Sequence, residues 1–371
     1  MTEQQTAPVE VLTATPRVAF VGLGFAARTL HLPGVRAAGG VPVAGVDLDD
    51  GRREEFGRDL GVPTYADVTE MLAAQEPDVV VVATPPSSHA SVTQESLRAG
   101  AHVLCEKPFV ETLEQADAVI ATAAAERRHV AVNQEFRYMP IFRDLAAEVG
   151  SARSGRPVFL SCVQFMDLAP WEEKVAWRAA MPHRSLFEGG VHLIDLLHLV
   201  VGRLPRGVVA HTSSGLDETR NADAIHLVTL DYGGGLLAQL TIDRLCKAGT
   251  RYVDLRVDCE HESLRASHGG RALLQVGLKR AEKPGVRLDL GLGGLAWAER
   301  GLTRRRIARN GRDSAGQATS ALVVDTFDRW RRGEAAAVTP AVARDTLSVI
   351  LAAYESAQTG TRVEVMGRTP G

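Results

Sequence analysis

From Arg17 to about Asn133, short apolar runs alternate with amphipathic stretches. The runs cover residues 18–22, 41–47, 78–84, 102–106 and 130–133. Runs this short, separated by helix-length polar and apolar periodicity, predict a βαβαβ series. Val79-Val80-Val81-Val82 is apolar at every position, which suits a strand covered on both faces. A doubly wound parallel sheet is therefore expected, with ligand-facing residues at the strand ends. After Gly150 the runs lengthen: 157–164, 207–213, 226–232, 236–243, 252–259 and 262–266. Gly233-Gly234-Gly235 between two of them marks a hairpin. The second region is expected to be an α/β domain on a large, mostly antiparallel open sheet. A helix over 189–201 precedes most of its strands, and two helices, about 315–332 and 340–359, close the chain. The expected organisation is a disordered tail over 1–16, a dinucleotide-type domain over 17–136, and a substrate-binding and oligomerisation domain over 137–371.

The first strand runs into Gly22-Leu23-Gly24-Phe25-Ala26-Ala27. Each small residue has a mechanical use in a dinucleotide turn. Gly22 permits the tight strand-to-helix reversal, Gly24 lets the backbone approach a pyrophosphate, and Ala27 allows close helix packing. The following helix offers free N–H groups and the positive end of its dipole to phosphates. Asp47 ends the second strand, 25 positions after Gly22, near the distance at which an acidic residue meets the adenosine ribose. A carboxylate there accepts from the ribose hydroxyls and repels a 2′-phosphate, which favours NAD. NADP stays open, because Arg52 and Arg53 can either swing toward a 2′-phosphate or stand as solvated helix residues.

Composition narrows the partners. Of 371 residues 45% are hydrophobic and 23% charged, ordinary for globular domains, and the net charge is -3, so nothing favours nucleic acid or an anionic membrane. A small-molecule substrate fits better. Cys105, Cys162, Cys246 and Cys259 form no C-x-x-C pair, which points to reduced thiols and a cytoplasmic setting. Residues 1–16 hold no Lys or Arg and no signal-like apolar core, and no run of eighteen apolar residues occurs.

Two strand ends carry chemistry: Thr84-Pro85-Pro86-Ser87-Ser88-His89 and Glu106-Lys107-Pro108. The first would pass a cofactor between its halves, and the second would set an ammonium where a substrate hydroxyl exchanges its proton. The order G-x-G-x-x-A, T-P-P-x-x-H, E-K-P resembles the Gfo/Idh/MocA oxidoreductases, the glucose-fructose oxidoreductase and inositol dehydrogenase family. His31-Leu32-Pro33, Asn133 to Arg137, Trp177-Arg178 and Gly189 to Asp195 add to the resemblance, while residues 270–312 fit poorly. It implies a Rossmann domain followed by an α/β domain whose flat sheet face makes homodimers or homotetramers.

The resemblance further implies that the E-K-P lysine and an Asp-x-x-x-His pair surround the reacting carbon. Lys107 and His192 match, whereas the aspartate position holds Glu188, one methylene longer. Glu188 and His192 share a helix face only if the helix begins before Glu188; otherwise the carboxylate caps its first turn. The alternative readings are His192 as a core histidine and Glu188 as the group that fixes its tautomer. Asp195 and His198 are assigned to packing, and no metal is expected, because Glu188, His192 and Asp195 on one short segment do not converge on a centre. Trp177 and Arg178 are either a substrate wall with a guanidinium near the nicotinamide carboxamide, or a structural aromatic with a surface arginine. The expected cofactor contacts are Gly22, Gly24, Phe25, Ala26, Ala27, Asp47, Thr84, Pro85, His89, Glu106, Lys107, Asn133 and Arg178. The basic cluster of Arg300, Arg304, Arg305, Arg306 and Arg309 is either a solvated face or a site for a phosphorylated or nucleotide-linked substrate. The activity implied is reversible oxidation of a secondary alcohol on a sugar, cyclitol or nucleotide-linked sugar. Reduction of an imine, enone or bile-pigment-type substrate, or a nicotinamide-binding regulator without turnover, are the alternatives.

Overall fold

The computed structural model describes residues 9–167, 181, 183, 185–215, 223–247, 253–269, 272–277, 285–290, 293–311 and 313–367. The chain divides into two units, residues 1–138 with 315–347 and 368–371, and residues 139–314 with 348–367.

The first unit alternates β1 (Arg17–Val21), α1 (Leu32–Ala37), β2 (Val41–Val46), α2 (Asp50–Leu60), β3 (Thr64–Tyr65), α3 (Val68–Gln75), β4 (Val79–Val82), α4 (His89–Arg98), β5 (His102–Cys105), α5 (Leu113–Ala125) and β6 (Val130–Val132). The sheet order is β3-β2-β1-β4-β5-β6, and its neighbouring strands pair in parallel. This is the doubly wound sheet the apolar runs predict, and the four valines of β4 are completely buried. Its helices start where local chemistry supplies acceptors. Asp49 accepts from Arg52 N–H, Asp67 from Glu70 N–H, and Thr112 with Gln115 forms a capping box. The two-residue edge strand β3 carries too little periodicity to be read from sequence.

Two expectations about the limits of this unit are corrected. Residues 9–16 are ordered rather than part of a disordered tail: Glu10 and Leu12 N–H groups donate to the carbonyls of Arg127 and Trp330, Glu10 pairs with Arg128, and Leu12 is buried. The helix expected near 315–332, α8 (Ser314–Arg331), falls almost wholly in the first unit rather than closing the second. Its apolar stripe of Leu322, Val323, Phe327 and Trp330 enters the core formed by Val18, Phe20, Leu23, Val35 and Val81. A Cβ on Gly34 would lie 2.9 Å from Ser320 Cα, so the close helix approach requires glycine there.

Beside α8, His102, His129 and Trp330 stack at centroid distances of 5.3 to 5.7 Å, and the His129 N–H donates to His102 Nδ1 at 2.9 Å. Burial, then the nearby His129 and Arg128 charges, bring His102 down to about 3; burial brings His129 down to about 4. Both rings are therefore neutral in the fold at pH 7, whereas in an unfolded chain they titrate near 6.5. Their contribution is complete above about pH 6.5 and is lost as pH falls toward 4. The expected loss is at most about 1.4 kcal/mol per pH unit for His102 and less for His129. Urea midpoints at pH 7 and pH 5 measure it, and equal midpoints would contradict it. A His129→Gln variant should show a smaller drop.

The second unit contains α6 (Pro140–Glu148), β7 (Pro157–Phe165), α7 (Val191–Val201), β8 (Gly207–Ser213), β9 (Ile225–Gly233), β10 (Leu236–Asp243), β11 (Val253–Cys259), β12 (Ser263–His268), β13 (Ala272–Gly277), β14 (Gly285–Leu290), β15 (Gly294–Arg300) and β16 (Thr303–Arg309). With β17 (Val363–Glu364), nine strands form one sheet ordered β16-β15-β12-β11-β7-β10-β9-β8-β17, antiparallel except for β7 beside β10, while β13 and β14 pair separately. The open, mostly antiparallel sheet is thus present. Gly233, Gly234 and Gly235 turn the β9–β10 hairpin with φ of 71°, 65° and 84°, a conformation that favours glycine. Alternation along β9 and β10 buries Val228, Leu230, Ala238 and Leu240 and leaves Leu227 and Leu237 exposed on the opposite face.

The arginine-rich segment is an edge hairpin, β15–β16, and neither sequence reading describes it fully. Arg304 lies 3.9 Å over the Trp297 ring, and Arg305 pairs with Glu148 at 2.8 Å and Glu262 at 3.2 Å. These two cations are committed to intramolecular contacts, and Arg306 and Arg309 are exposed.

Candidate active site

Gly22 has φ of 87°, and a Cβ there would meet the Ala83 carbonyl oxygen at 2.6 Å. Only glycine fits so close a crossing of β1 and β4. Gly24 has nothing within 4 Å of an added Cβ, so the backbone is open on that side. Ala27 is fully buried in the core. The helix then opens with a widened π-helical turn, Ala26–His31, which has no side-chain cap at Phe25 and leaves first-turn N–H groups without intrahelical acceptors. An open glycine and uncapped N–H groups fit a diphosphate.

Asp47 is tied to this turn. Its Oδ2 accepts the Leu23 N–H at 2.8 Å and its Oδ1 the Asp49 N–H at 3.0 Å. Arg53 donates to the Asp47 carbonyl at 2.6 Å and pairs with Asp50, and Arg52 lies 3.6 Å from the Asp47 carboxylate. Both arginines are therefore drawn to local carboxylates. Phe25 and Leu48 stand exposed next to these positions, two apolar side chains beside polar backbone.

At the ends of β4 and β5, Thr84 accepts from Ser88 Oγ at 2.7 Å and Pro85 is exposed. His89 is buried and bridges the two strand ends, with Nε2 2.8 Å from the Thr84 carbonyl and Nδ1 2.9 Å from that of Pro108. Burial lowers its pKa against the pull of those carbonyls. His89 thus ties loop to loop, and both of its nitrogens are occupied within the protein. Glu106 is likewise buried. Its Oε1 accepts from His31 Nε2 at 2.6 Å and Asn133 Nδ2 at 2.8 Å, and its Oε2 from the Lys107 N–H at 3.1 Å. Burial alone would push this carboxyl up; the His31 hydrogen bond and charge, the Lys107 charge and the Asn133 bond bring it down to about 2. Asn133 Oδ1 is buried with no hydrogen-bond partner among the described residues, an acceptor open to a ligand amide. Lys107 itself is half-buried.

In the sequence, His31 stands out only as part of His31-Leu32-Pro33. The available signal was a histidine in the first turn of a helix whose neighbours are otherwise small or apolar.

In the second unit, a π-helical turn over Ser185–Gly190 runs directly into α7. The helix expected to begin at Gly189 therefore begins at Ser185, and Glu188 lies within it, one turn before His192, instead of capping it. His192 is buried and Glu188 is half-buried. A Cβ on Gly189 would fall 1.5 Å from the Arg244 guanidinium and 3.1 Å from Gln164 Oε1, so the missing side chain makes room for both. Arg244 donates to the Ser185 carbonyl at 3.1 Å. Asp223 supports the same turn from below, accepting from Ser185 N–H, His226 Nε2 and Tyr354 Oη at 2.7, 2.7 and 2.8 Å. Against the upward push of burial, these bonds hold Asp223 below the usual carboxylate range. Trp177 and Arg178 lie outside the described residues.

Comparisons with known proteins agree with this arrangement. Residues 16–134 match an oxidoreductase family described by its NAD-binding Rossmann fold, and residues 142–265 match the GFO/IDH/MocA C-terminal domain. The chain is 26% identical over 226 residues to D-apiose dehydrogenase of Paraburkholderia graminis, covering 59% of this chain and 58% of that protein. It is 27% identical over 250 residues to inositol 2-dehydrogenase 4 of Saccharopolyspora erythraea, covering 66% of this chain and 70% of that one. Among solved structures, an oxidoreductase from Agrobacterium radiobacter in complex with NAD+, L-tartaric acid and magnesium superimposes with a TM-score of 0.79 at 19% identity, over 95% of this chain and 99% of that chain. The WlbA dehydrogenase from Bordetella pertussis, in complex with NADH and UDP-GlcNAcA, gives 0.77 at 17% identity over 95% and 99%. With its glycine turn, its E-K-P loop and both family domains matched, the chain belongs to the Gfo/Idh/MocA oxidoreductases, and its first domain is of their NAD-binding Rossmann type.

Proposed function

We propose that the protein is a nicotinamide-dependent dehydrogenase or reductase acting on a secondary alcohol or ketone of a sugar, a cyclitol or a nucleotide-linked sugar. The observation that carries this reading is the seat of Lys107 on a buried, ionised Glu106 held by His31 and Asn133. A lysine mounted on so rigid a base is suited to repeated proton transfer at one position. The names of the relatives, dehydrogenases of apiose and inositol, support the substrate class.

When bound, nicotinamide supplies the two-electron acceptor or donor that no side chain can provide. The turn of Gly22, Gly24, Phe25, Ala26 and Ala27 holds the diphosphate, Asp47 the ribose, Thr84 and Pro85 the passage along the strand ends, and Asn133 the carboxamide. His89 and Glu106 serve that site by fixing the loops. Lys107 Nζ takes the proton from the substrate hydroxyl in oxidation and returns it in reduction. On the resemblance, His192 is assigned to hydrogen bonding with the substrate and Glu188 to orienting His192 one turn away. Arg178 is assigned to the carboxamide on the resemblance. The exposed Leu227 and Leu237 face suits a second copy of the chain, in a homodimer or homotetramer. Among the described residues no helix is long and apolar enough to cross a membrane.

NAD is preferred over NADP, because the Asp47 carboxylate would face a 2′-phosphate and Arg52 and Arg53 are held by acidic neighbours. Fluorescence titration should give a dissociation constant at least tenfold lower for NAD, with Asp47→Ser narrowing the difference. Tighter binding of NADP by the wild-type protein would overturn the assignment.

A further inference from the structure

We propose that His31 is a positioning residue for Lys107, acting through Glu106. The inference rests on the reading of Lys107 as the proton-transfer residue. His31 lies in the widened turn that opens the first helix and is fully buried. It is 75 positions from Glu106, and their contact of 2.6 Å pins that helix to the E-K-P loop. The helix carries the N–H groups assigned to the diphosphate, and the loop carries the lysine. One hydrogen bond thus sets the spacing between the cofactor turn and the reacting amine.

The carboxylate divides its oxygens between these tasks. Oε1 takes His31 and Asn133, and Oε2 takes the Lys107 N–H. Removing His31 leaves Oε1 with the Asn133 bond alone, so the carboxylate can rotate and release the Lys107 backbone. It also removes the largest of the influences that keep Glu106 ionised against burial. The titratable groups around Glu106 are His31 from the first helix, Lys107 beside it, and His89 and Cys105, each coupled to its charge; Asn133 is the neutral contact. A buried pair with a purely structural role would affect stability and leave proton transfer and its pH profile as they are.

Three measurements on His31→Leu test this, with His31→Gln, which keeps an N–H donor at similar reach, as the conservative control. In protein without cofactor, exchange of the Lys107 amide should quicken tenfold or more. With NAD and an accepted polyol, kcat should fall tenfold or more while the NAD dissociation constant stays within about threefold. An acid limb in kcat should appear at least one pH unit above any in wild type, as Glu106 becomes protonatable. His31→Gln should return all three to within about threefold of wild type. If His31→Leu does not fold, His31→Asn, too short to reach Glu106, takes its place. Unchanged amide exchange with an unchanged acid limb overturns the proposal, even if the melting temperature falls, and so does a His31→Gln variant as impaired as His31→Leu. Full turnover by Lys107→Ala would overturn the lysine reading instead, and the amide-exchange readout would still decide whether His31 holds the loop.

Discussion

Lys107→Ala is expected to lower kcat by about a thousandfold, within the range of 10² to 10⁴ that positioned proton transfer typically supplies. Lys107 is half-buried, and its backbone N–H bond to Glu106 is kept by alanine, which removes only the ammonium charge near that carboxylate. Folding should therefore be nearly unaffected. The diphosphate is assigned to the Gly22 to Ala27 turn, on other elements of the sheet, so the NAD dissociation constant should remain within about twofold. Steady-state kinetics, a fluorescence titration and a thermal melt check the three parts. A variant with weakened cofactor binding and kcat unchanged would make Lys107 a binding residue. One retaining more than a tenth of wild-type kcat would remove it from the chemistry.

Gly22→Ala is expected to cost more than about 2 kcal/mol of stability and at least tenfold in NAD affinity. The residue has φ of 87°, where a Cβ is strained, a conformation costing about 1 to 3 kcal/mol for residues other than glycine. The added carbon would also meet the Ala83 carbonyl oxygen at 2.6 Å, and that atom is backbone, which cannot rotate aside. Relief requires β1 and β4 to separate, and Val18 to Val21 pair directly with Val79 to Val82. Gly24→Ala is the contrasting case. Its Cβ meets nothing within 4 Å, so folding should be spared while the methyl group intrudes where the diphosphate approaches. Urea unfolding and NAD titration of both variants separate the effects. Equal stability of Gly22→Ala and wild type would contradict the steric account.

Much of the fold was legible because its signals are local. The all-valine β4 reads as a strand covered on both faces, the three glycines read as the β9–β10 hairpin, and the small residues after β1 read as a turn for a dinucleotide. The rest depends on partners distant in sequence. Nothing near His31 announces Glu106, 75 positions away, and nothing in the 315–332 stripe says that its apolar face seats against Gly34 and the first sheet. Residues 9–16 look like a tail because their order comes from the Arg127 and Trp330 carbonyls and from Arg128. The arginine cluster is ambiguous for the same reason: a guanidinium stacked on Trp297 and one in solvent have the same sequence signature. At Glu188 the alternatives turned on where one helix starts, and the π-helical turn from Ser185 resolves them.

Lys107 is proposed to move the proton in a nicotinamide-linked oxidation of a sugar-type hydroxyl, and that role can be checked at the bench. It is tested most directly by following reduced-cofactor absorbance with wild-type and Lys107→Ala protein across a panel of aldoses, inositols, nucleotide-linked sugars, cyclic imines and enones. Wild type is expected to turn over at least one polyol, and the variant to lose that turnover by about a thousandfold. Cofactor binding without oxidation of any polyol, or reduction confined to imines or enones, would contradict it.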